Sequence, residues 1–399
     1  MLPLSERGLT LPPSPYRKLT PFAEAARRRG LTVHPLNIGQ PDIETPPQML
    51  AAVQQADIRV LEYGPTAGTD SYRQVLADYY QQQGLKVAAD DILVTAGGSE
   101  AISFALLACL NPGDEFIVPE PFYGPYAGFA VATGTHLVPV ASYLADDFAL
   151  PPISEFEAKI TPRTRAILIC SPNNPTGYVY SRAELEQLRD LCLRHNLYLL
   201  SDEAYREFCY DGRFTSALEL AGAEQHVVLL DTISKRYSAC GARIGALVTK
   251  NQALRDVVFK LAQLRVCPPG LGQLLAQAAA DLPADYFDYT KAEYLARRDL
   301  MVRRLRAMPG VRCPLPRGAF YVLCHLPVDD AGRFCQWLLE EFDLNGETLM
   351  ASPAAGFYAT AELGRQQVRL AYVIHHDLIN RAMDCLEMAL HQYPGRQND

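Results

Sequence analysis

DTISKRYSACGARIG, residues 231–245, is the stretch whose reading decides the fold. It follows His226 and the apolar run VVLL at 227–230, which reads as a buried strand delivering a short polar loop. Within a dozen residues the loop offers one primary amine (Lys235), two hydroxyls (Thr232 and Ser234) and one guanidinium (Arg243). An amine that forms a Schiff base needs surroundings that favour its neutral form. Hydroxyls and an Arg fork are what a phosphate needs. The two requirements meet in a cofactor that carries an aldehyde and a phosphate, as pyridoxal phosphate does. Without a ligand the same residues make a solvated Lys–Arg loop, so the flanking sequence has to decide.

Upstream, the pattern repeats. Leu197–Leu200 is a strand ending in SDEAYREF. Asp202 there is costly beside a buried strand unless paired; it can cap the next helix or meet a protonated ring nitrogen, and Tyr205 can reach the same ligand. Arg165–Cys170 is a strand running into SPNNPTG, a turn whose two prolines fix the aim of Asn174. Asp114–Val118 ends in PEPFYGPYAGF, which clusters Phe122, Tyr123 and Tyr126 where a flat ring could stack, or where they could be core aromatics. Asp91–Thr95 runs into AGGSEAISFALLACL. There a strand, a glycine pair and a helix N-terminus present Gly97, Gly98 and Ser99 as anion donors. The full dinucleotide fingerprint and the P-loop Lys are both missing. Strand alternates with helix from about 88 to 247, with polar groups after nearly every strand. That is the signature of a mostly parallel, doubly wound α/β sheet with its ligand at the carboxyl ends.

Outside that core the texture changes. Residues 1–20 read as an extended arm, with Pro3, Pro12, Pro13 and Pro15 blocking helix. Residues 21–44 hold a short helix, a strand and the loop NIGQPDIETP, in which Gly39 suits either a close backbone approach or a plain turn. After residue 250 come helices at 252–264 and 271–281, then a long charged helix at 284–308. Residues 310–399 read as α+β, and in VRLAYV the period of two points Arg369 away from Val368 and Leu370. The expected organisation is an arm (1–20), a large domain (45–285) with a sheet of about seven strands, and a smaller α+β domain (21–44 with 286–399). The net charge of −8 argues against nucleic acid as a partner. Ten scattered cysteines, with no zinc spacing, read as buried thiols in a reducing compartment, and no metal site is expected. No apolar run reaches membrane-spanning length, so a cytoplasmic protein off the membrane is expected.

The motifs LNIGQPD, YGPTAG, TAGGSEA, PEPFYGPY, SPNNPTG, SDEAY, SKRYSACGARIG, PRGAFY and VRLAY occur in that order. Together they resemble the fold type I, class I/II pyridoxal-phosphate aminotransferases over roughly residues 30–390. The resemblance implies the roles. Lys235 forms the Schiff base and serves as the general base. Gly97, Gly98, Ser99, Thr232, Ser234 and Arg243 hold the phosphate, joined by Tyr63 of the other subunit of a homodimer. Tyr123 stacks on the ring, Asp202 pairs with its nitrogen, and Asn174 and Tyr205 contact its 3′-oxygen. Arg369 binds the substrate α-carboxylate, and the Gly39 loop covers it.

The activity implied is a ping-pong transfer of an amino group between an L-amino acid and a 2-oxo acid, with aspartate or glutamate the expected donor. Arg265, in LAQLRVCPPGLGQ, is the candidate for a distal carboxylate, or else one half of an interface salt bridge. Ala242 and Tyr123 stand where many members carry Trp, and Thr232 where Ser is frequent, which weakens any transfer of side-chain specificity. A neutral or aromatic amino donor, or a lyase or oxidase on the same scaffold, fits the same motifs. A ligand-sensing regulator would need a DNA-binding module, for which the first 30 residues are too short.

Overall fold

The computed structural model describes residues 2–14 and 17–397. Strand β1 (Thr32–Pro35) lies outside the main sheet. The main sheet is built from β2 (Ile92–Thr95), β3 (Glu115–Glu120), β4 (His136–Ala141), β5 (Thr164–Cys170), β6 (Tyr198–Asp202), β7 (Val227–Thr232) and β8 (Gly245–Val248). Its seven strands run in the order β2-β8-β7-β6-β5-β3-β4. All neighbours pair parallel except β8, which is antiparallel to both β2 and β7. The segment between β7 and β8 is spent on the Lys235 turn and not on a helix packed back across the sheet. The chain therefore re-enters from the end it left, which forces antiparallel pairing.

Near-continuous apolar strands mean that both faces of the sheet are covered. On β5, Leu168 and Ile169 are both fully buried but belong to different clusters. Leu168 packs with Ala101, Ile102 and Ala105 of the helix Gly98–Cys109. Ile169 packs with Leu185, Leu188 and Leu191 of the helix Arg182–His195. A capping box opens the latter helix: Ser181 accepts from the Glu184 N–H at 3.3 Å, and the Ser181 N–H donates to the Glu184 carboxylate at 2.7 Å. Strand β4 was not expected from the sequence; Pro139 interrupts its pattern, and an edge strand is where the sheet tolerates a residue with no N–H.

The remaining strands are β9 (Tyr321–His325), β10 (Glu347–Met350), β11 (Ser352–Pro353) and β12 (Gln367–Ala371). Strands β11-β12-β9 form an antiparallel sheet, while β10 pairs parallel with β1. The helix Tyr286–Ala307 packs along the helix His376–Gln392. On β12, Val368 and Leu370 enter the apolar cluster and Arg369 turns the other way, as the alternation predicts.

The N-terminal arm differs from its expectation. Ser5 caps a short helix, Glu6–Thr10, in the gap between Pro3 and Pro12; Pro15 of the expected helix-blocking set lies outside the described residues. The cysteines differ in part as well: all ten are unpaired, but Cys240, Cys267 and Cys313 are only half-buried. No helix of the described residues is long and apolar enough to cross a membrane.

Because both faces of β5 are core, Leu168→Ala and Ile169→Ala should each cost about 2–5 kcal/mol. Urea or thermal unfolding would check this; tolerance of either change would mean that one face is not packed.

Candidate active site

The carboxyl ends of β2, β3, β5, β6 and β7 converge on one region. Strand β7 ends in the short helix Ile233–Arg236, which carries Lys235. A buried ion pair anchors this turn: the Arg236 guanidinium meets Asp231 at 2.8 Å and 3.1 Å. Asp231 also accepts from the Tyr80 hydroxyl at 2.6 Å and from the Thr232 N–H at 2.7 Å. The Lys235 ammonium donates to the Gly39 carbonyl at 2.8 Å and lies 3.8 Å from the Cys240 thiol. Gly39 itself leaves no room for a side chain, because a Cβ there would strike the Tyr321 ring.

Beside Lys235 the Thr232 hydroxyl donates to the Ile244 carbonyl at 2.9 Å and lies 2.8 Å from the Ser234 hydroxyl. The Gly97–Gly98 turn opens the helix Gly98–Cys109, whose first amides have no intrahelical partner. Gly97 has φ 81°, and a Cβ on it would collide with the Arg243 guanidinium. A Cβ on Gly245 would press on the backbone of Gly97, Gly98 and Asp231. These close approaches shape a small cradle bounded by two hydroxyls, a guanidinium and a helix N-terminus. Ser99 is exposed at its rim.

Asp202, at the end of β6, is buried and makes no ion pair among the described residues. It accepts from the Tyr126 hydroxyl at 2.7 Å and, in a cap-like turn, from the Ala204 N–H at 3.2 Å. Burial pushes its carboxyl up to about 6; the Tyr126 and Ala204 hydrogen bonds oppose the shift, and the nearby Asp231 adds to it. Tyr123 sits edge-on to Tyr126, with ring centroids 5.3 Å apart. Asn174 donates to the Tyr205 hydroxyl at 3.3 Å and accepts from Arg369 at 3.0 Å. The Tyr205 and Tyr321 hydroxyls lie 2.9 Å apart. Arg369, 1% exposed, also donates to the Asn37 carbonyl, and the Tyr321 ring faces its guanidinium at 4.4 Å.

Tyr63, expected to serve the other subunit, and Arg265 stand apart from these groups within the chain. Tyr63 is 84% exposed and touches none of the groups above. Within this chain Arg265 pairs with Glu100 at 3.0 Å and donates to the Val94 carbonyl at 2.7 Å. Glu100 in turn accepts from the Ala96 N–H at 2.8 Å, so the pair braces the glycine turn from behind. Sequence reasoning assigned no role to Glu100, Tyr321, Asn37 or Cys240, although all four lie within quoted motifs, because the spacing does not reveal their partners. Tyr126 was legible only as an aromatic three residues beyond Tyr123. One cluster was not expected: His34, Glu347 and Cys385 bring one donor atom each within 4.8 Å. Arg381 already forks the Glu347 carboxylate, which satisfies it without a metal.

A reactive amine, a buried acid and an anion cradle at the carboxyl end of a doubly wound sheet define an enzyme that handles amines on a phosphorylated cofactor. The family model for aminotransferase class I and II matches residues 32–353, and the chain belongs to that family, whose members depend on pyridoxal phosphate. It is 32% identical over 398 residues to a putative aminotransferase, YugH, of Bacillus subtilis, covering 98% of each chain. Among solved structures it is similar to the aspartate aminotransferase of Thermotoga maritima (TM-score 0.89, 30% identity, 98% of this chain and 100% of that one). It is also similar to the alanine aminotransferase of Pyrococcus furiosus (TM-score 0.88, 29% identity, 97% and 99%).

Without cofactor, Asp202 holds its proton to a higher pH folded than unfolded, so it stabilises the fold most below about pH 4 and loses that contribution as pH rises to about 6. Relative to Asp202→Asn, the cofactor-free wild type should therefore lose stability across that window, by about 1.4 kcal/mol for each pH unit crossed. Thermal melts of both proteins against pH check this; a constant difference would mean that Asp202 titrates as an ordinary carboxyl.

Proposed function

We propose that this chain is a pyridoxal-phosphate-dependent aminotransferase that moves an amino group between an L-amino acid and a 2-oxo acid. One observation carries the reading: Lys235 and the buried Asp202 lie at the ends of adjacent parallel strands, with the glycine cradle on one side and Arg369 on the other. The cradle fits a phosphate, because glycines at 97 and 245 clear the space and two hydroxyls, a guanidinium and a helix N-terminus bound it. Asp202 fits a cationic ring nitrogen, because a buried carboxylate with no ion pair gains most from a proton donor carrying charge.

The cofactor, when bound, supplies an aldehyde that condenses with amines and a ring that takes up electron density from the substrate α-carbon. The residues do the rest. Gly97, Gly98, Ser99, Thr232, Ser234 and Arg243 hold the phosphate. Tyr123 would contact the ring, and Asn174 and Tyr205 would offer polar groups to its 3′-oxygen. Asp202, steadied by Tyr126, would favour a protonated ring nitrogen. Arg369 would orient the substrate α-carboxylate, and the Lys235 amine would act as the base that takes the α-proton and gives it back. The Gly39 loop excludes water from that transfer.

For the donor we favour aspartate or glutamate. This rests on relatives such as the Thermotoga aspartate aminotransferase and not on Arg265, whose charge Glu100 already meets. The Pyrococcus relative, an alanine aminotransferase, keeps a neutral donor as the second reading. A homodimer is supported by the apolar side chains left in water around Tyr63: Val60 at 71%, Leu61 at 64% and Leu264 at 83% exposure. The expected compartment is the cytoplasm, on the ground of ten unpaired cysteines.

Lys235→Ala should abolish the yellow colour removed by borohydride in the wild type and cut turnover by roughly 10³-fold or more. A colourless wild type that takes up no pyridoxal phosphate would end the proposal. Across aspartate, glutamate, alanine and phenylalanine, Arg265→Ala should lower kcat/KM evenly, as a brace would; a selective loss for the acidic donors would return Arg265 to the substrate. Mixing inactive Tyr63→Ala and Lys235→Ala subunits should restore part of the activity if Tyr63 completes the neighbour's site.

A further inference from the structure

We propose that Glu120 is a positioning residue for substrate-carboxylate binding, tying the loop that carries Tyr123 to the segment that holds Phe357 against Arg369. Glu120 is the last residue of β3 and is fully buried. One oxygen of its carboxylate accepts from two backbone N–H groups, Ala359 at 2.7 Å and Thr360 at 3.1 Å. Its other oxygen has no hydrogen-bond partner among the described residues. Two residues further on, the Phe122 N–H donates to the Phe357 carbonyl at 2.9 Å. The end of β3 and the segment 357–360 are thus joined by three hydrogen bonds, two of them to one charged oxygen.

Elsewhere the segment is held by the Tyr358 hydroxyl, which donates to Gln367 at 2.8 Å, and by Ala354 and Phe357 packed with Phe148 and Leu323, and none of these reaches the backbone at 359–360. Ala355, Gly356, Ala359 and Thr360 are exposed, whereas Phe357 is fully buried. The Phe357 ring faces the Arg369 guanidinium at 5.2 Å. Fixing the backbone beyond Phe357 therefore fixes a wall of the Arg369 site. The same clamp holds the residue that leads into Tyr123. A buried carboxylate without a cation is costly. Its use for two N–H groups of an otherwise exposed segment marks a joint that must not slip.

This inference rests on Arg369 as the α-carboxylate binder, so the test separates the two. The probe is 2-methylalanine, which has the amine and carboxylate of a substrate but no α-hydrogen. It is titrated spectrally into full-length enzyme saturated with pyridoxal phosphate, for wild type, Glu120→Gln, Glu120→Ala and Arg369→Lys. Hydrogen exchange is followed at Ala359 and Thr360. Glu120→Gln should bind the probe about tenfold more weakly, as expected when hydrogen bonds to a charged group become neutral ones. It should exchange faster at Ala359 and Thr360 and melt close to wild type; Glu120→Ala should show the same changes, larger. Unaltered probe affinity in Glu120→Gln, or a lowered melting temperature with unaltered affinity, overturns the proposal even if Glu120→Ala fails to fold. Unaltered affinity in Arg369→Lys overturns the Arg369 reading instead, and slower exchange in wild type than in Glu120→Gln then still shows the clamp.

Discussion

The turn that carries Lys235 depends on the Asp231–Arg236 pair, buried where neither charge can be left alone. Removing one partner strands the other in a medium that cannot solvate it. Tyr80, on the helix Asp70–Gln82, adds a hydroxyl to the same carboxylate, so the turn is bolted to a helix as well as to its own strand. The neighbouring Asp202 has no such cation. Two buried acids at adjacent strand ends thus differ in kind: one is neutralised within the fold, and the other waits for a positive charge from outside it. That asymmetry is the ground on which the proposed function gives Asp202 to a ring nitrogen and leaves Asp231 to the fold.

Glycine does comparable work through absence of volume. At 97 and 245 the backbones of β8 and the glycine turn come so close that no side chain fits between them. The Arg243 guanidinium fills the space a Cβ would have taken at 97. The cradle is therefore defined by backbone and by one long side chain, and its dimensions cannot relax by rotamer changes alone.

Much of this was legible in the sequence, for reasons that can be stated. Apolar runs followed by Gly, Asn or Asp mark strands that end in a site, and the period of two in VRLAYV suffices to turn Arg369 inward. Asn174, Tyr205 and Arg369 were legible one by one, and the fold brings them into one hydrogen-bonded chain. Strand β4 was not legible, because Pro139 breaks its alternation and only its edge position makes that tolerable. The short helix at Glu6–Thr10 was hidden by the prolines around it. The pairing of Arg265 with Glu100 was not legible, because the two are distant in sequence and no local pattern announces a pairing of that span. Tyr63 is exposed, and the role expected for it lies with a second chain.

The parallel pairing of β1 with β10 has a consequence for synthesis. Thr32–Pro35 is made about 315 residues before its partner Glu347–Met350. At roughly 5–20 residues per second the first strand waits for about 15–60 s with a bare edge. In that interval the helix Thr20–Arg28, already made, is the native neighbour it has. The β1–β10 pair thus closes only after Met350 has been made, while all seven strands of the main sheet, which ends at Val248, are already available.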